Sequence, residues 1–127
     1  MMAKNKILVV DDEVEMLQLM SMHLQRMDYE VIIARDQKEA IEALHKEHPP
    51  VVFLDILLGN DSGIEVLRQI KKIDKNTKVF MLTALEDEEA IGESRSSGAD
   101  FFISKHTDWD VMMKELSGKL ASLDLNK

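Results

Sequence analysis

Five short runs of apolar residues, separated by segments with helical periodicity, are the feature that most constrains the fold of this chain. Each run is continuous rather than alternating, which is typical of parallel strands that are covered on both faces. Strands that alternate with helices form right-handed β-α-β units. The sequence therefore predicts an α/β domain with a doubly wound, five-stranded parallel sheet and five helices on two faces. The runs are Ile7–Val10, Val31–Ala34, Val51–Leu54, Val79–Leu82 and Phe101–Ile103.

Helix start and stop signals mark the segments between these runs. The fourth helix carries only Ala90 and Ile91 as inward-facing apolar residues, so we expect it to shift at small energetic cost. Asp28 is expected to end the first helix in a left-handed conformation. The predicted helices run from about Glu13 to Met27, from Asp36 (paired with Glu39) to before Pro49-Pro50, from near Ser62 (paired with Glu65) through Ile73, from Glu86 to Arg95, and from Thr107 to Leu123.

Length and composition limit the functional classes. The 127 residues predict a single domain, 1–127, with a core from about 6 to 123. The chain has no cysteine, and a net charge of −8 opposes direct nucleic-acid binding. No apolar run approaches the roughly 18 residues of a membrane helix, and no signal peptide is recognisable. We therefore expect a cytoplasmic protein that binds neither nucleic acid nor membrane.

Charged and polar residues follow four of the five predicted strands. Asp11 and Asp12 follow the first, Asp55 ends the third, Thr83 ends the fourth, and Lys105 comes just after the fifth. The carboxyl ends of parallel strands meet at one edge of the sheet, where ligands of such folds bind. Asp11 or Asp12 could instead simply cap the next helix, but the carboxylate and the ammonium from other strand ends favour a shared site.

The chemistry of these residue types suits a divalent cation and a phosphoryl group. Three carboxylates offer the hard oxygen ligands that Mg²⁺ prefers, with Mn²⁺ as a second possibility. Asp55 could attack a phosphoryl donor and form an acyl phosphate. Lys105 could pair with the transferred group, and Thr83 could donate a hydroxyl hydrogen bond to it.

In this order and spacing, Val9-Val10-Asp11-Asp12, Leu54-Asp55, Thr83-Ala84 and Lys105 resemble the motifs of the receiver domain of two-component response regulators. The resemblance implies a flavodoxin-like sheet of strand order 2-1-3-4-5. It also implies transfer of a phosphoryl group to Asp55 from the phosphohistidine of a sensor histidine kinase or a histidine phosphotransfer protein. The output would be a downstream domain or protein, and a phosphorylation-dependent dimer is a further possibility.

The resemblance also implies roles for individual residues. Asp12 would bind Mg²⁺ directly, Asp11 through water, and Leu57 through its backbone carbonyl. Thr83 and Phe102 would form the switch pair that couples phosphorylation to a shift in the population of two conformations.

Four departures from the family pattern lead to further expectations. His106 replaces the usual proline, so we expect Lys105 to be less firmly placed. Gly59 replaces another common proline, so the loop after Asp55 should be more mobile. Phe102 lacks the hydroxyl of a frequent tyrosine. Leu57 and Leu85 occupy positions that, by the resemblance, flank the incoming water, and we expect them to slow the loss of phosphate.

Two alternative functions use the same residues. A Mg²⁺-dependent phosphatase with an aspartate nucleophile would usually need an acid two residues after Asp55, where Leu57 stands, so we do not expect an enzyme beyond self-phosphorylation and slow self-dephosphorylation. An interaction module with the same fold could have lost phosphorylation, although all the site residues are present.

Three histidines lie outside these motifs. His23, His45 and His48 are expected to be solvated surface residues.

Overall fold

The computed structural model describes residues 5–84, 88–105 and 108–123. Twelve regular elements follow one another along these residues. They are β1 Lys6–Val10, α1 Val14–Arg26, β2 Glu30–Ala34, α2 Gln37–Glu47, β3 Val51–Asp55, β4 Leu57–Leu58, β5 Asp61–Ser62, α3 Gly63–Ile73, β6 Lys78–Thr83, α4 Glu88–Ser96, β7 Phe101–Ser104 and α5 Trp109–Ala121.

The main sheet has the strand order β2-β1-β3-β6-β7, and all its strand pairs are parallel. Apart from a small antiparallel hairpin formed by β4 and β5, this is the predicted order 2-1-3-4-5, which is confirmed. β3 lies at the centre of the sheet, and all five of its residues are buried. The chain order reverses beside β1 and β3, so the carboxyl ends of these strands form the crevice in which such folds bind ligands.

Two hydrophobic cores lie on opposite faces of this sheet. Alternate strand residues supply them: Val52 and Leu54 belong to one core, while Val51 and Phe53 belong to the other. Buried residues of α2 and α3 complete the first core, and those of α1 and α5 complete the second. Because each central strand is covered on both faces, its apolar run is continuous in sequence.

Local capping explains where several helices begin and end. Asp36 Oδ1 accepts a hydrogen bond of 2.8 Å from the Glu39 N–H, and Ser62 Oγ accepts one of 3.4 Å from the Glu65 N–H. These two helix starts and the left-handed Asp28 (φ 71°) agree with the sequence analysis. α5 starts at Trp109 with Asp108 as its N-cap, so its start differs slightly from the predicted one. Thr107, the predicted start, lies outside the described residues.

α4 buries only a small face against the rest of the domain, as its composition predicts. Ser94 is its only buried residue, while Ala90 and Ile91 are half-buried. A polar bridge joins it to α3, with Arg68 Nη2 2.9 Å from Glu93 Oε1 and Arg68 Nε 3.2 Å from Ser97 Oγ. The predicted beginning of this helix at Glu86 lies outside the described residues.

Across residues 5–84, 88–105 and 108–123, no helix combines the length and the apolar character that a membrane span requires.

Candidate functional site

A pocket of about 410 Å³ opens where the carboxyl ends of β1, β3, β6 and β7 meet. The structure brings Asp12, Asp55, Thr83 and Lys105 together in its wall, as the strand-end pattern predicts. The full lining is Asp12, Glu13, Asp55, Ile56, Leu57, Gly59, Thr83, Ala84 and Lys105.

Three carboxylates form the acidic side of the site. Asp11, Asp12 and Asp55 each offer one oxygen, and these atoms all lie within 4.8 Å of one another. Asp11 is fully buried, Asp55 is 5% exposed, and Asp12 is exposed to solvent. Asp11 Oδ1 accepts a hydrogen bond of 3.0 Å from the Glu13 N–H, which orients that carboxyl group. An all-oxygen donor set of this size, open on one side, fits a small divalent cation that keeps water or ligand oxygens in its shell.

Lys105 is the cationic counterpart of these acids. Its Nζ lies 2.5 Å from Asp55 Oδ2, 2.9 Å from Asp11 Oδ2 and 3.1 Å from Glu13 Oε1, and its side chain is only 9% exposed. Its backbone N–H donates to the Thr83 carbonyl at 2.8 Å. His106, whose effect on Lys105 is a sequence expectation, lies outside the described residues.

Burial and charge shift the pKa values of this cluster in a consistent way. Burial raises the pKa of Asp55 to about 6, although the hydrogen bond from Lys105 acts in the opposite direction. Burial by itself would lower the pKa of Lys105, but its hydrogen bonds to Asp55 and Asp11 outweigh this and raise it. Burial thus dominates the shift at Asp55, whereas the neighbouring carboxylates dominate the shift at Lys105. Lys105 therefore stays charged, while an anionic Asp55 is held at an energetic cost.

The segment after Asp55 shapes the mouth of the pocket. The Leu57 N–H donates to Asp55 Oδ1 at 3.0 Å, while the Leu57 side chain is 58% exposed. Leu57–Leu58 then pairs with Asp61–Ser62 as the β4–β5 hairpin, which the sequence analysis treated as part of a loop. Gly59 turns this hairpin with φ 60°, a conformation that favours glycine. The expected mobility of the loop and a role for the Leu57 carbonyl as a metal ligand stay predictions.

Gly63 is a residue of the site that the sequence analysis missed. A Cβ atom at this position would lie 2.0 Å from the Asp55 carbonyl oxygen and 2.8 Å from Ile56 Cα. The Gly63 N–H also donates to the Ile56 carbonyl at 2.8 Å. The start of α3 therefore packs directly on the backbone of Asp55 and Ile56. A lone glycine after a serine carries little signal of this, because the close approach exists only in the folded chain.

The predicted switch pair occupies adjacent strands. Thr83 is 5% exposed and pairs in register with Ser104 on β7, two residues beyond Phe102. The Phe102 ring lies beneath Arg95 of α4, with the guanidinium carbon 5.2 Å from the ring centroid. The Phe102 carbonyl accepts a hydrogen bond from Lys119 Nζ of α5. Phe102 thus contacts both helices that flank the edge strand, and its role as a switch stays a prediction.

His23 differs from expectation. Its side chain is half-buried, and its Nε2 lies 3.0 Å from Ser117 Oγ of α5. Burial, and secondarily the charge of Arg26, lowers the pKa of His23. The prediction that His23 is a solvated surface residue holds only in part, because α1 and α5 pack side by side over the same core. His45 and His48 are exposed, as expected.

These features define a class of α/β proteins that bind ligands at the carboxyl edge of the sheet. They are the parallel doubly wound sheet, the acidic residues at its strand ends and the buried lysine. The family model for the response regulator receiver domain matches residues 7–117. The chain belongs to this family, and it is a receiver domain of the type found in two-component response regulators.

Individual relatives support this assignment. The chain is 37% identical over 100 residues to the alkaline phosphatase synthesis transcriptional regulatory protein PhoP of Bacillus subtilis, covering 79% of this chain and 42% of that protein. It is 33% identical over 109 residues to sporulation initiation phosphotransferase F of the same organism, covering 86% of this chain and 88% of that protein. The chain spans less than half the length of several curated relatives that it matches.

Solved structures agree with the observed fold. Vibrio cholerae chemotaxis protein CheY4 matches with a TM-score of 0.83 and 29% identity, covering 91% of this chain and 98% of that one. A CheY-like response regulator receiver domain protein from Methanospirillum hungatei matches with a TM-score of 0.84 and 28% identity, covering 94% and 95% of the two chains. The fold and the family therefore agree.

Proposed function

We propose that this chain is a cytoplasmic phosphoacceptor domain. It takes a phosphoryl group onto Asp55 from the phosphohistidine of a sensor histidine kinase or a histidine phosphotransfer protein, and then switches conformation to control a downstream domain or protein. It acts as a signalling domain and has no enzymatic turnover beyond slow loss of its own phosphoryl group. The arrangement that carries the proposal is the Asp55 carboxylate in an open pocket, with Asp11, Asp12 and Lys105 around it.

Asp11, Asp12 and Asp55 are the side chains that would hold Mg²⁺, or Mn²⁺ in its place, because their oxygens cluster within 4.8 Å. The Leu57 carbonyl is a further proposed ligand. When bound, the cation would offset the negative charge of the carboxylates and of the phosphoryl oxygens.

The protein residues perform the transfer by position and charge. Asp55 Oδ attacks phosphorus, a phosphorus–oxygen bond forms, and the phosphorus–nitrogen bond to the donor imidazole breaks. The electron pair of that bond leaves with the imidazole, which departs neutral because its other ring nitrogen is protonated. Lys105 lies next to the attacking carboxylate and can follow the transferred oxygens with its ammonium group. The product is an acyl phosphate on Asp55.

The neighbouring residues offer a path from Asp55 to the surface. Thr83 lines the same pocket, and its strand pairs with the one that carries Phe102. Rearrangement of Thr83 toward the phosphoryl oxygens would free space for the Phe102 ring and alter its contact with Arg95 of α4. Because α4 has a small buried face, such a change can move it at low cost.

The test is intact-mass spectrometry of the full chain after incubation with acetyl phosphate, with and without Mg²⁺. We expect one phosphoryl group to be added only when Mg²⁺ is present, and none to be added to the Asp55→Asn variant. Asp74→Asn is the matched control, because Asp74 follows α3 near the opposite end of the sheet. Equal phosphorylation of Asp55→Asn and wild type would refute the assignment of the nucleophile. No phosphorylation of a folded wild-type chain would favour an interaction module that lacks this chemistry.

A further inference from the structure

Glu13 is an acidic wall residue of the pocket whose side chain does not serve its own helix. It is the N-cap of α1, yet its side chain makes no capping hydrogen bond. Serine, threonine, aspartate and asparagine are the usual caps, because their short side chains reach the free N–H groups of the first turn. The Glu13 side chain is instead 63% exposed, and its Oε1 lies 3.1 Å from Lys105 Nζ. It therefore extends into the pocket rather than back along the helix.

Lys105 is shared between carboxylates of two kinds. Asp11 and Asp55 are nearly buried, and their contacts with Lys105 form part of the core of the site. Glu13 is the exposed partner, so an incoming donor meets its charge before it reaches the ammonium. A negatively charged donor has to approach Glu13 and also compete with it for Lys105. Repulsion by Glu13 and competition with Glu13 for Lys105 both disfavour a negatively charged donor.

We propose that Glu13 determines donor specificity by charge, disfavouring small dianionic phosphodonors relative to donors whose leaving group carries a positive charge. This inference rests on the proposed function, because it concerns the same transfer to Asp55. Acetyl phosphate is a dianion at neutral pH. Phosphoramidate and a protonated phosphohistidine carry less net negative charge, since a nitrogen of the leaving group is protonated.

The two small donors undergo the same exchange of bonds at phosphorus. In each case Asp55 Oδ forms the new bond to phosphorus as the bond to the leaving group breaks. The electron pair departs with the acetate oxygen from acetyl phosphate and with nitrogen, as ammonia, from phosphoramidate. The donors thus differ in charge while the acceptor chemistry is unchanged, which makes their rate ratio a measure of electrostatic selection.

Glu13→Gln removes the charge and keeps nearly the same shape. A unit charge a few ångströms away in a solvated pocket changes rates by a factor of about three per donor charge once screening is included. We therefore expect phosphorylation by acetyl phosphate to become about tenfold faster and phosphorylation by phosphoramidate about threefold faster. Raising the ionic strength should reduce both gains, because the charge is exposed.

The matched control is Glu15→Gln. Glu15 is an exposed acid in the same helical turn, so this variant makes the same change in net charge and in the charge near the helix N-terminus, but Glu15 does not line the pocket. Initial rates for both donors are followed by intact mass on wild type and the two variants. The quantity compared is the rate with acetyl phosphate divided by the rate with phosphoramidate. If Glu13→Gln changes this ratio from its wild-type value more than Glu15→Gln does, selection by Glu13 is supported. An equal change in both variants, or none, overturns it.

A second measurement avoids phosphorylation and metal altogether. Inorganic phosphate is titrated into the metal-free protein, and the Leu57 and Ala84 amide signals are followed by NMR. Glu13→Gln should bind phosphate about threefold or more tightly than wild type, while Glu15→Gln should not differ. Suppose that wild type accepts phosphoryl groups, but that Glu13→Gln has the same phosphate affinity and the same ratio of rates with the two donors as wild type. Only the role of Glu13 is then refuted. If wild type accepts none from either donor, the proposed function is refuted as well.

Discussion

Replacement of Gly63 by alanine tests how tightly α3 packs on the backbone of Asp55 and Ile56. The added Cβ would lie 2.0 Å from the Asp55 carbonyl oxygen, well inside van der Waals contact, and the obstacle is backbone rather than a flexible side chain. Overpacking against side chains costs roughly 1–3 kcal/mol, so a backbone clash of this severity should cost about 3 kcal/mol or more. Alanine regains about 1 kcal/mol through its helix propensity. We therefore expect a net loss of about 2 kcal/mol or more in the free energy of unfolding.

Urea denaturation followed by circular dichroism measures this loss. The chain supplies two matched controls, Gly92→Ala in α4 and Gly118→Ala in α5, because an added Cβ at either position meets no atom within 4 Å. Both controls should raise the free energy of unfolding by up to about 1 kcal/mol. If Gly63→Ala were as stable as these controls, the inferred contact between α3 and the Asp55 backbone would be wrong.

Four further results are expected. In EDTA at pH 7.5, Asp55→Asn should raise the free energy of unfolding by about 2 kcal/mol, because burial raises the pKa of Asp55 to about 6 and its ionised form is held at a cost; an unchanged urea midpoint would contradict this. Leu57→Asn should shorten the lifetime of phospho-Asp55, since Leu57 is an exposed apolar residue that lines the pocket beside Asp55, and a polar amide there would hold water near the acyl phosphate; decay of the phosphorylated mass measures it, and an unchanged lifetime would refute the idea. Ser94→Ala should stabilise the fold by about 1 kcal/mol in thermal unfolding, because its buried hydroxyl has no hydrogen-bond partner among the described residues; a destabilised variant would reveal one. The pKa of His23 is lowered in the folded chain, so the unfolded chain binds a proton more readily and the free energy of unfolding should fall as pH drops below about 6.5. In urea titrations, His23→Gln should weaken this pH dependence. A pH profile identical to that of wild type would exclude His23 as its source.

Capping and strand prediction succeeded where the signal is local. The continuous run Val51–Leu54 predicted a central strand because burial on both faces removes the need for alternating polar residues. Asp36 and Ser62 predicted helix starts because capping requires only the next three residues. Local prediction was less complete after Asp55, where it did not reveal the β4–β5 hairpin.

Most members of the candidate site were predictable from the sequence, but Glu13, Gly63 and their contacts were not. The positions of Asp11, Asp12, Asp55, Thr83 and Lys105 at strand ends were enough to expect them at one edge, because parallel strands share that edge. Glu13 was missed because its contact joins residues 92 apart in the chain, and an acid at a helix start has an ordinary explanation.

The five parallel strands, the two covered faces of the sheet and the gathering of acids and one lysine at one edge were thus determined by the sequence itself, because hydrophobic burial and chain connectivity specify them. The order of the strands was expected from the family resemblance. Only the tertiary structure decided which carboxylates share Lys105, where a glycine is required and which polar group is buried. These features depend on distances of a few ångströms between elements, and such distances follow from the packing of the whole chain rather than from any local pattern.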